Sequence, residues 1–210
     1  MLKAIIFDLD GVICHTDEYH YQAWKEMADK YGIYFDRIIN DRLRGIGRLE
    51  SLEIILERAE RNFTKRQKEE MAEEKNAIYQ RLLSKMTKED LSDEVKMTLQ
   101  ELRNQGYLMA IGSSSKNTKF ILERLGLSDF FDAISDGTNI TKSKPNPEVF
   151  LKAAEMLKVI PADALVVEDA ISGVDAAISG GFQAAGIGEA ARDSRVNFPL
   201  NHFKELLLHL

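Results

Sequence analysis

A chain of 210 residues, 44% hydrophobic and 30% charged, suits one globular domain or one domain with a sizeable insertion, and excludes disordered, collagenous and coiled-coil chains. Twenty-eight basic against 34 acidic side chains leave a net charge of −6, which argues against nucleic acid or a membrane surface as partner and for a small molecule. The single cysteine, Cys14, precludes an intrachain disulfide framework, and no apolar run reaches signal-peptide or membrane-spanning length, so a cytoplasmic monomer is expected.

In chain order, residues 4–7 form a short apolar run without alternation, as expected of a strand buried on both faces of a parallel sheet. Residues 17–90 read as helix after helix. Trp24, Met27, Ala28 and Tyr31 make one stripe, Leu52, Ile55, Leu56 and Ala59 another, and Thr64 can cap a long charged helix running towards Met86. A helix over 94–105 carries Val95, Leu99 and Leu102 and stops at Gly106; a strand at 108–111 and a helix over 117–125 ending at Gly126 follow. Pro147 can open a helix striped with Val149, Phe150, Ala153 and Leu157, before a strand at 164–167 and a helix over 170–179. The expected fold is α/β: a doubly wound, Rossmann-like parallel sheet core (1–14 and 92–210) with an inserted α-helical cap domain (15–91).

The strand ends are chemically loaded. The first leads into Asp8, Asp10 and Gly11, the second into Ser113 and Ser114, and a later one into Glu168 and Asp169, while Lys144 lies in a basic loop before Pro145. Ligands of open parallel sheets bind at such carboxyl ends, and crowded carboxylates with few basic partners imply a hard cation, Mg²⁺ by preference. Two aspartates spaced by one residue can both face the crevice, Asp8 as nucleophile and Asp10 as general acid and base. Ser113 and Lys144 would hold and neutralise a transferred phosphoryl group. Glu168 and Asp169 could also cap the next helix, and Arg48 could pair with Glu50 or Glu53 on a helix face.

These four motifs, in this order and at these intervals, resemble the haloacid dehalogenase superfamily of phosphotransferases. Within it, the residues around Thr16, His20, Trp24, Arg44, Gly45, Gly47, Arg48, Lys75 and Asn117 resemble the β-phosphoglucomutase family, which interconverts β-glucose 1-phosphate and glucose 6-phosphate through β-glucose 1,6-bisphosphate. The resemblance implies an aspartyl-phosphate on Asp8, and Mg²⁺ held by Asp8, the backbone carbonyl of Asp10 and Asp169, with Glu168 close by. It implies that Arg48 grips the phosphate not being transferred, that Lys75, Asn117, Ser51 and Ser114 contact the sugar phosphate, and that Gly45 and Gly47 leave room for the sugar. His20 would assist Asp10, and Thr16 would lie at the cap hinge. A sugar-phosphate or small-organophosphate phosphatase with the same core is the alternative. His15 beside the hinge, Ser92 to Glu94 before the core helix, and a short tail after Gly188 depart from the family pattern.

Overall fold

The computed structural model describes residues 2–210. Six parallel strands form one sheet: β1 (Ala4–Phe7), β2 (Leu108–Gly112), β3 (Ala133–Ser135), β4 (Ala164–Glu168), β5 (Gln183–Ile187) and β6 (Phe198–Leu200), in the spatial order β3-β2-β1-β4-β5-β6. β1 lies between β2 and β4, with Phe7 in register with Ile111 on one side and Val167 on the other. The winding direction reverses there, and connections leaving β1 and its neighbours part to opposite faces, opening a crevice beyond their carboxyl ends.

Both faces of the central strands are buried, which is why those runs lack alternation. Ile5, Phe7, Met109, Ile111, Leu165 and Val167 join one apolar cluster; Ala4, Ile6, Ala110, Ala164 and Val166 join the other. Helices α5 (Asp93–Asn104) and α6 (Thr118–Leu125) belong to the first cluster through Val95, Leu99, Leu102, Ile121 and Leu125. The second holds α7 (Glu148–Leu157) and α8 (Ile171–Ser179), through Val149, Phe150, Ala153, Ala176 and Ala177. Ser92 caps α5 by accepting from the Val95 amide at 3.2 Å, and Gly126 closes α6 in the left-handed conformation. Pro147 stands one residue ahead of α7 rather than inside it.

Five α-helices come between β1 and β2: α1 (Asp17–Lys30), α2 (Arg37–Asp41), α3 (Arg48–Leu56) and α4 (Lys65–Leu83) make the insertion, and α5 follows them back on the core. The predicted Thr64 cap is a full capping box with Gln67. Trp24 and Met27 of α1, Leu52 and Ile55 of α3, and Met71, Tyr79 and Leu82 of α4 extend the first apolar cluster into this insertion. Three strands, β3, β5 and β6, had no individual sequence signal. β3 and β6 are three residues long, and β5 is largely Ala and Gly with few β-branched side chains. Among the described residues no helix is long and apolar enough to cross a membrane.

Candidate active site

Asp8 follows β1 directly, and its amide donates to the Val167 carbonyl at 2.9 Å, which extends the ladder one residue and fixes the carboxylate at the crevice floor. Leu9 is turned into the core, so Asp8 and Asp10 face the same way. The chain then turns tightly, with the Gly11 amide donating to the Cys14 carbonyl at 2.7 Å. Gly11 has φ +92°, and a Cβ there would collide with the Asp169 carboxylate, so only glycine lets this turn lie against the acidic cluster.

One carboxylate oxygen each from Asp8, Glu168 and Asp169 lies within 4.8 Å of the others. Lys144, fully buried, donates from Nζ to Asp8 Oδ1 and to Glu168 Oε1. Glu168 also accepts from the Asp169 and Ala170 amides at 3.0 Å each, so both its oxygens are committed. It thus steadies the amides just ahead of α8, but neither Glu168 nor Asp169 caps that helix, whose N-cap residue is Ala170 and which receives no side-chain cap. Burial pushes the Asp8 carboxyl well above the usual range; Lys144 opposes this, while Glu168 and Asp169 reinforce it. Burial and Glu168 likewise raise Asp169 to about 7. Burial alone would lower the Lys144 pKa, but Asp8 and Glu168 more than offset it and hold it above the ordinary lysine value. Three carboxylates against one buried ammonium, with the Arg44 guanidinium 3.6 Å from Asp169, still leave a local negative excess of hard oxygen donors, and this donor set fits Mg²⁺, with Asp8 and Asp169 offering the less committed oxygens.

Asp10 is held differently. The Thr16 hydroxyl donates to Asp10 Oδ1, so the residue expected at the hinge also orients the second aspartate. Burial raises the Asp10 pKa, and the Thr16 hydrogen bond moderates the rise. Ser113 is buried beyond β2, and its Oγ accepts from the Ser115 amide at 3.1 Å. Ser114 donates to the Gly45 carbonyl at 3.2 Å and accepts from the Lys144 amide at 3.4 Å.

The helical insertion forms the opposite wall of a cleft of about 670 Å³ whose lining includes Asp8, Asp10, His20, Arg48, Ser51, Lys75, Ser113, Ser114, Asn117 and Asp169. Lys75 Nζ lies 3.0 Å from His20 Nδ1 and sits over the Trp24 and Tyr79 rings. With Lys75 as donor to Nδ1, the imidazole keeps its own proton on Nε2. Burial, then Lys75 and Arg48, hold His20 well below the usual histidine value, so it is neutral near pH 7. Arg48 bonds neither Glu50 nor Glu53. Its guanidinium donates to Glu73 at 3.0 Å and to Asn76 Oδ1 at 2.8 Å, while Glu53 is taken by Lys68. Asn76 Oδ1 also accepts from Asn117 Nδ2 at 3.0 Å, and Gln80 donates to Asn117 Oδ1 at 2.9 Å. This chain links Arg48 to α6 across the cleft. Gln80 was not singled out from sequence, because it stands in no motif and its partner lies 37 residues away. The space beside the two loop glycines faces other side chains: a Cβ on Gly45 would meet the Ser172 hydroxyl, and one on Gly47 would meet Glu50 and Ser143.

Burial, with Arg48 adding to it, depresses the Lys75 ammonium from 10.5 to about 7. A lysine depressed on folding destabilises fully below pH 7, and that penalty is relieved as pH rises from 7 towards 10.5. Lys75→Met is therefore expected to stabilise the fold by about 1 kcal/mol at pH 6, with the gain shrinking by pH 10. Urea unfolding at the two pH values measures this, and a gain that grew with pH would contradict it.

The sequence pattern of the haloacid dehalogenase-like hydrolases matches residues 2–181. The chain belongs to that family. A β-phosphoglucomutase of Bacillus subtilis strain 168 is 44% identical over 211 residues, spanning 100% of this chain and 93% of the relative. A phosphorylated carbohydrates phosphatase of Thermotoga maritima is 31% identical, spanning 87% of this chain and 83% of its own length. The crystal structure of a β-phosphoglucomutase from Clostridium difficile superposes with a TM-score of 0.92 at 38% identity, covering 98% of this chain and 93% of that one. This member of the family therefore has both mutases and phosphatases among its relatives.

Proposed function

We propose that the protein is a Mg²⁺-dependent β-phosphoglucomutase, interconverting β-D-glucose 1-phosphate and glucose 6-phosphate through an aspartyl-phosphate and β-glucose 1,6-bisphosphate. The observation that carries this reading is the pairing, across one cleft, of the Asp8, Lys144 and Asp169 cluster with an arginine held on the helical insertion by Asn76 and Glu73. Residues 15–91 act as a cap over a core made of 1–14 and 92–210. The proposal places the enzyme in the cytoplasm as a monomer, with the bisphosphate as activator.

In this mechanism an Asp8 carboxylate oxygen attacks phosphorus of the bisphosphate and the bond to the sugar oxygen breaks. That oxygen takes its proton from Asp10, whose raised pKa suits an acid. In the return direction Asp10 removes the proton from the attacking sugar hydroxyl. Asp8 and Asp169, with the Asp10 carbonyl, would hold Mg²⁺, which would supply positive charge beside the transferred group. Lys144 opposes the rise in the Asp8 pKa and so favours the ionised, nucleophilic carboxylate, and Ser113, which lines the same cleft, meets a phosphoryl oxygen. Arg48 and Asn117 hold the second phosphate; a guanidinium fork can do so whichever end of the sugar is presented. A B. subtilis β-phosphoglucomutase at 44% identity supports the mutase, while the T. maritima phosphatase at 31% keeps the phosphatase as the competing reading.

The test is to incubate the protein with Mg²⁺, β-glucose 1-phosphate and a trace of bisphosphate, which should give glucose 6-phosphate; release of inorganic phosphate alone would establish the phosphatase. Arg48→Ala is expected to lower kcat/KM for isomerisation about 10- to 100-fold through loss of charged hydrogen bonds to the distal phosphate. An Arg48→Ala enzyme that isomerises normally would remove the main ground for the mutase.

A further inference from the structure

The loop at residues 43–47, between α2 and α3, is seated on the core by hydroxyl groups. Ser172, in the first turn of α8, donates from Oγ to the Arg44 carbonyl at 3.2 Å. Ser114, beyond β2, donates to the next carbonyl, that of Gly45, also at 3.2 Å. A loop pressed against the core must have its carbonyls satisfied, and these two have hydroxyl partners contributed by different core elements. Gly45 independently marks the same contact. Its φ is +72°, and a Cβ at this position would overlap the Ser172 hydroxyl, so the loop sequence is shaped around that serine.

The position of this contact gives it consequence. Ser172 lies three residues after Asp169, on the turn that follows the acidic cluster, while Arg48, the first residue of α3, lies four residues beyond Arg44. The Arg44 guanidinium is 3.5 Å from Asp17 at the start of α1 and 3.6 Å from Asp169, so the same loop also spans from the insertion to the cluster. Seating the two carbonyls therefore sets where Arg48 stands relative to Asp8. We propose that Ser172 is a positioning residue for phosphoryl transfer: its hydroxyl, together with that of Ser114, latches the 43–47 loop onto the core and keeps water from Asp8 while the phosphoryl group resides there. The proposal rests on the mutase reading for its catalytic consequence, but not for the latch itself. A neutral hydroxyl latch suits repeated opening, because in the open state both the hydroxyl and the carbonyl are satisfied by water, so little energy separates the states.

The experiment is Ser172→Ala, with Ser179→Ala as control. Ser179 lies at the other end of α8 and bonds only to the Ala176 carbonyl of its own helix. Hydrogen–deuterium exchange of the protein without ligand should accelerate about three- to ten-fold in peptides covering 43–47 for Ser172→Ala, the range expected for one hydrogen bond, and not in those covering β1 or α4. With β-glucose 1-phosphate and bisphosphate, the ratio of inorganic phosphate released to glucose 6-phosphate formed should rise by a similar factor. KM should rise with kcat changed less than two-fold, and phosphorylation of Asp8 by acetyl phosphate should be unaltered. Unchanged exchange in 43–47 overturns the latch. Accelerated exchange with an unchanged product ratio overturns its catalytic role. If the unaltered protein forms no glucose 6-phosphate, the mutase reading fails and the exchange result alone decides whether Ser172 holds the loop.

Discussion

Asp8→Asn is expected to reduce phosphoryl transfer by about 10⁴-fold or more while leaving a folded protein, because the amide keeps the shape of the carboxylate but cannot form an aspartyl-phosphate. The structure adds an expectation about stability. Asp8, Glu168 and Asp169 crowd one end of the sheet with Lys144 as their buried ammonium partner, and burial together with mutual repulsion raises the Asp8 and Asp169 pKa values. A carboxyl raised on folding contributes stability that is full below its unfolded value, near 3.8, and lost as pH rises through the folded value, about 7 for Asp169. The metal-free protein should therefore be more stable at pH 5 than at pH 8. Asp8→Asn removes one of the repelling charges, so its loss between those pH values should be smaller. Mg²⁺ added at pH 8 should stabilise the unaltered protein more than the variant, since a bound cation adds free energy only to the state that binds it. Thermal unfolding in EDTA and in Mg²⁺ at the two pH values measures all three. A variant with normal turnover, or with a steeper pH dependence than its parent, would contradict the assignment.

How much of this was legible in the sequence depended on whether the signal was local. Residues 4–7, 108–111 and 164–167 announced buried strands because both their faces pack, and their ends carried Asp8, Ser113 and Asp169 to one place once the strands were parallel and adjacent. Thr64 and Gly126 declared helix ends through chemistry complete within a few residues. β5, β3 and β6 were silent, as pairing with an established sheet lets short or alanine-rich segments become strands without strong propensity of their own. In the site, the least legible features were polar contacts spanning long sequence separations. His20 meets Lys75 across 55 residues, Gln80 meets Asn117 across 37, and Ser172 meets Arg44 across 128. No periodicity encodes such pairs. Arg48 had plausible partners two and five residues away, yet its bonds go to α4, 25 and 28 residues on, because α3 and α4 face each other across the insertion.

The charge distribution follows the same logic. For a net −6 chain, the proposed doubly phosphorylated sugar would require concentrated cations, and Arg44, Arg48, Lys75 and Lys116 all line the cleft, while Lys144 lies behind it, bonded to Asp8. In the proposed reaction the cleft cations are the ones that can reach substrate, although Arg44 and Arg48 also pair with Asp169 and Glu73, whereas the buried lysine meets only the protein's own acids.

That division makes Lys144→Met the variant with the largest expected cost to the fold. Its side chain has no exposed surface, lies over the Phe150 ring, and donates to Asp8 and Glu168. Methionine can fill the unbranched slot, so the change tests the charge rather than the packing. Removing one partner of a buried pair leaves the other uncompensated, and the expected destabilisation in metal-free buffer at pH 8 is about 3–5 kcal/mol. The pH dependence separates this from a cavity effect. Lys144 has a pKa raised on folding, so its contribution is full below its ordinary value of 10.5 and constant between pH 5 and 9 in the unaltered protein. In the variant, Asp8, already pushed up by burial, loses the ammonium that opposed the rise and is better tolerated when protonated, so the deficit should grow as pH rises from 5 to 8; a lost packing contact would cost the same at both. Combining Lys144→Met with Asp8→Asn should recover part of the stability and none of the activity, giving a coupling energy for the pair. Mg²⁺ should restore part of the stability of the single variant by placing positive charge among the same oxygens. Phosphoryl transfer should nevertheless remain down by about 10³-fold or more, because the charge beside the attacking oxygen and the transferred group is gone. Unfolding curves at pH 5 and 8, with and without Mg²⁺, decide the matter. A single variant as stable as its parent at pH 8 in EDTA would mean that Lys144 does not compensate the acidic cluster.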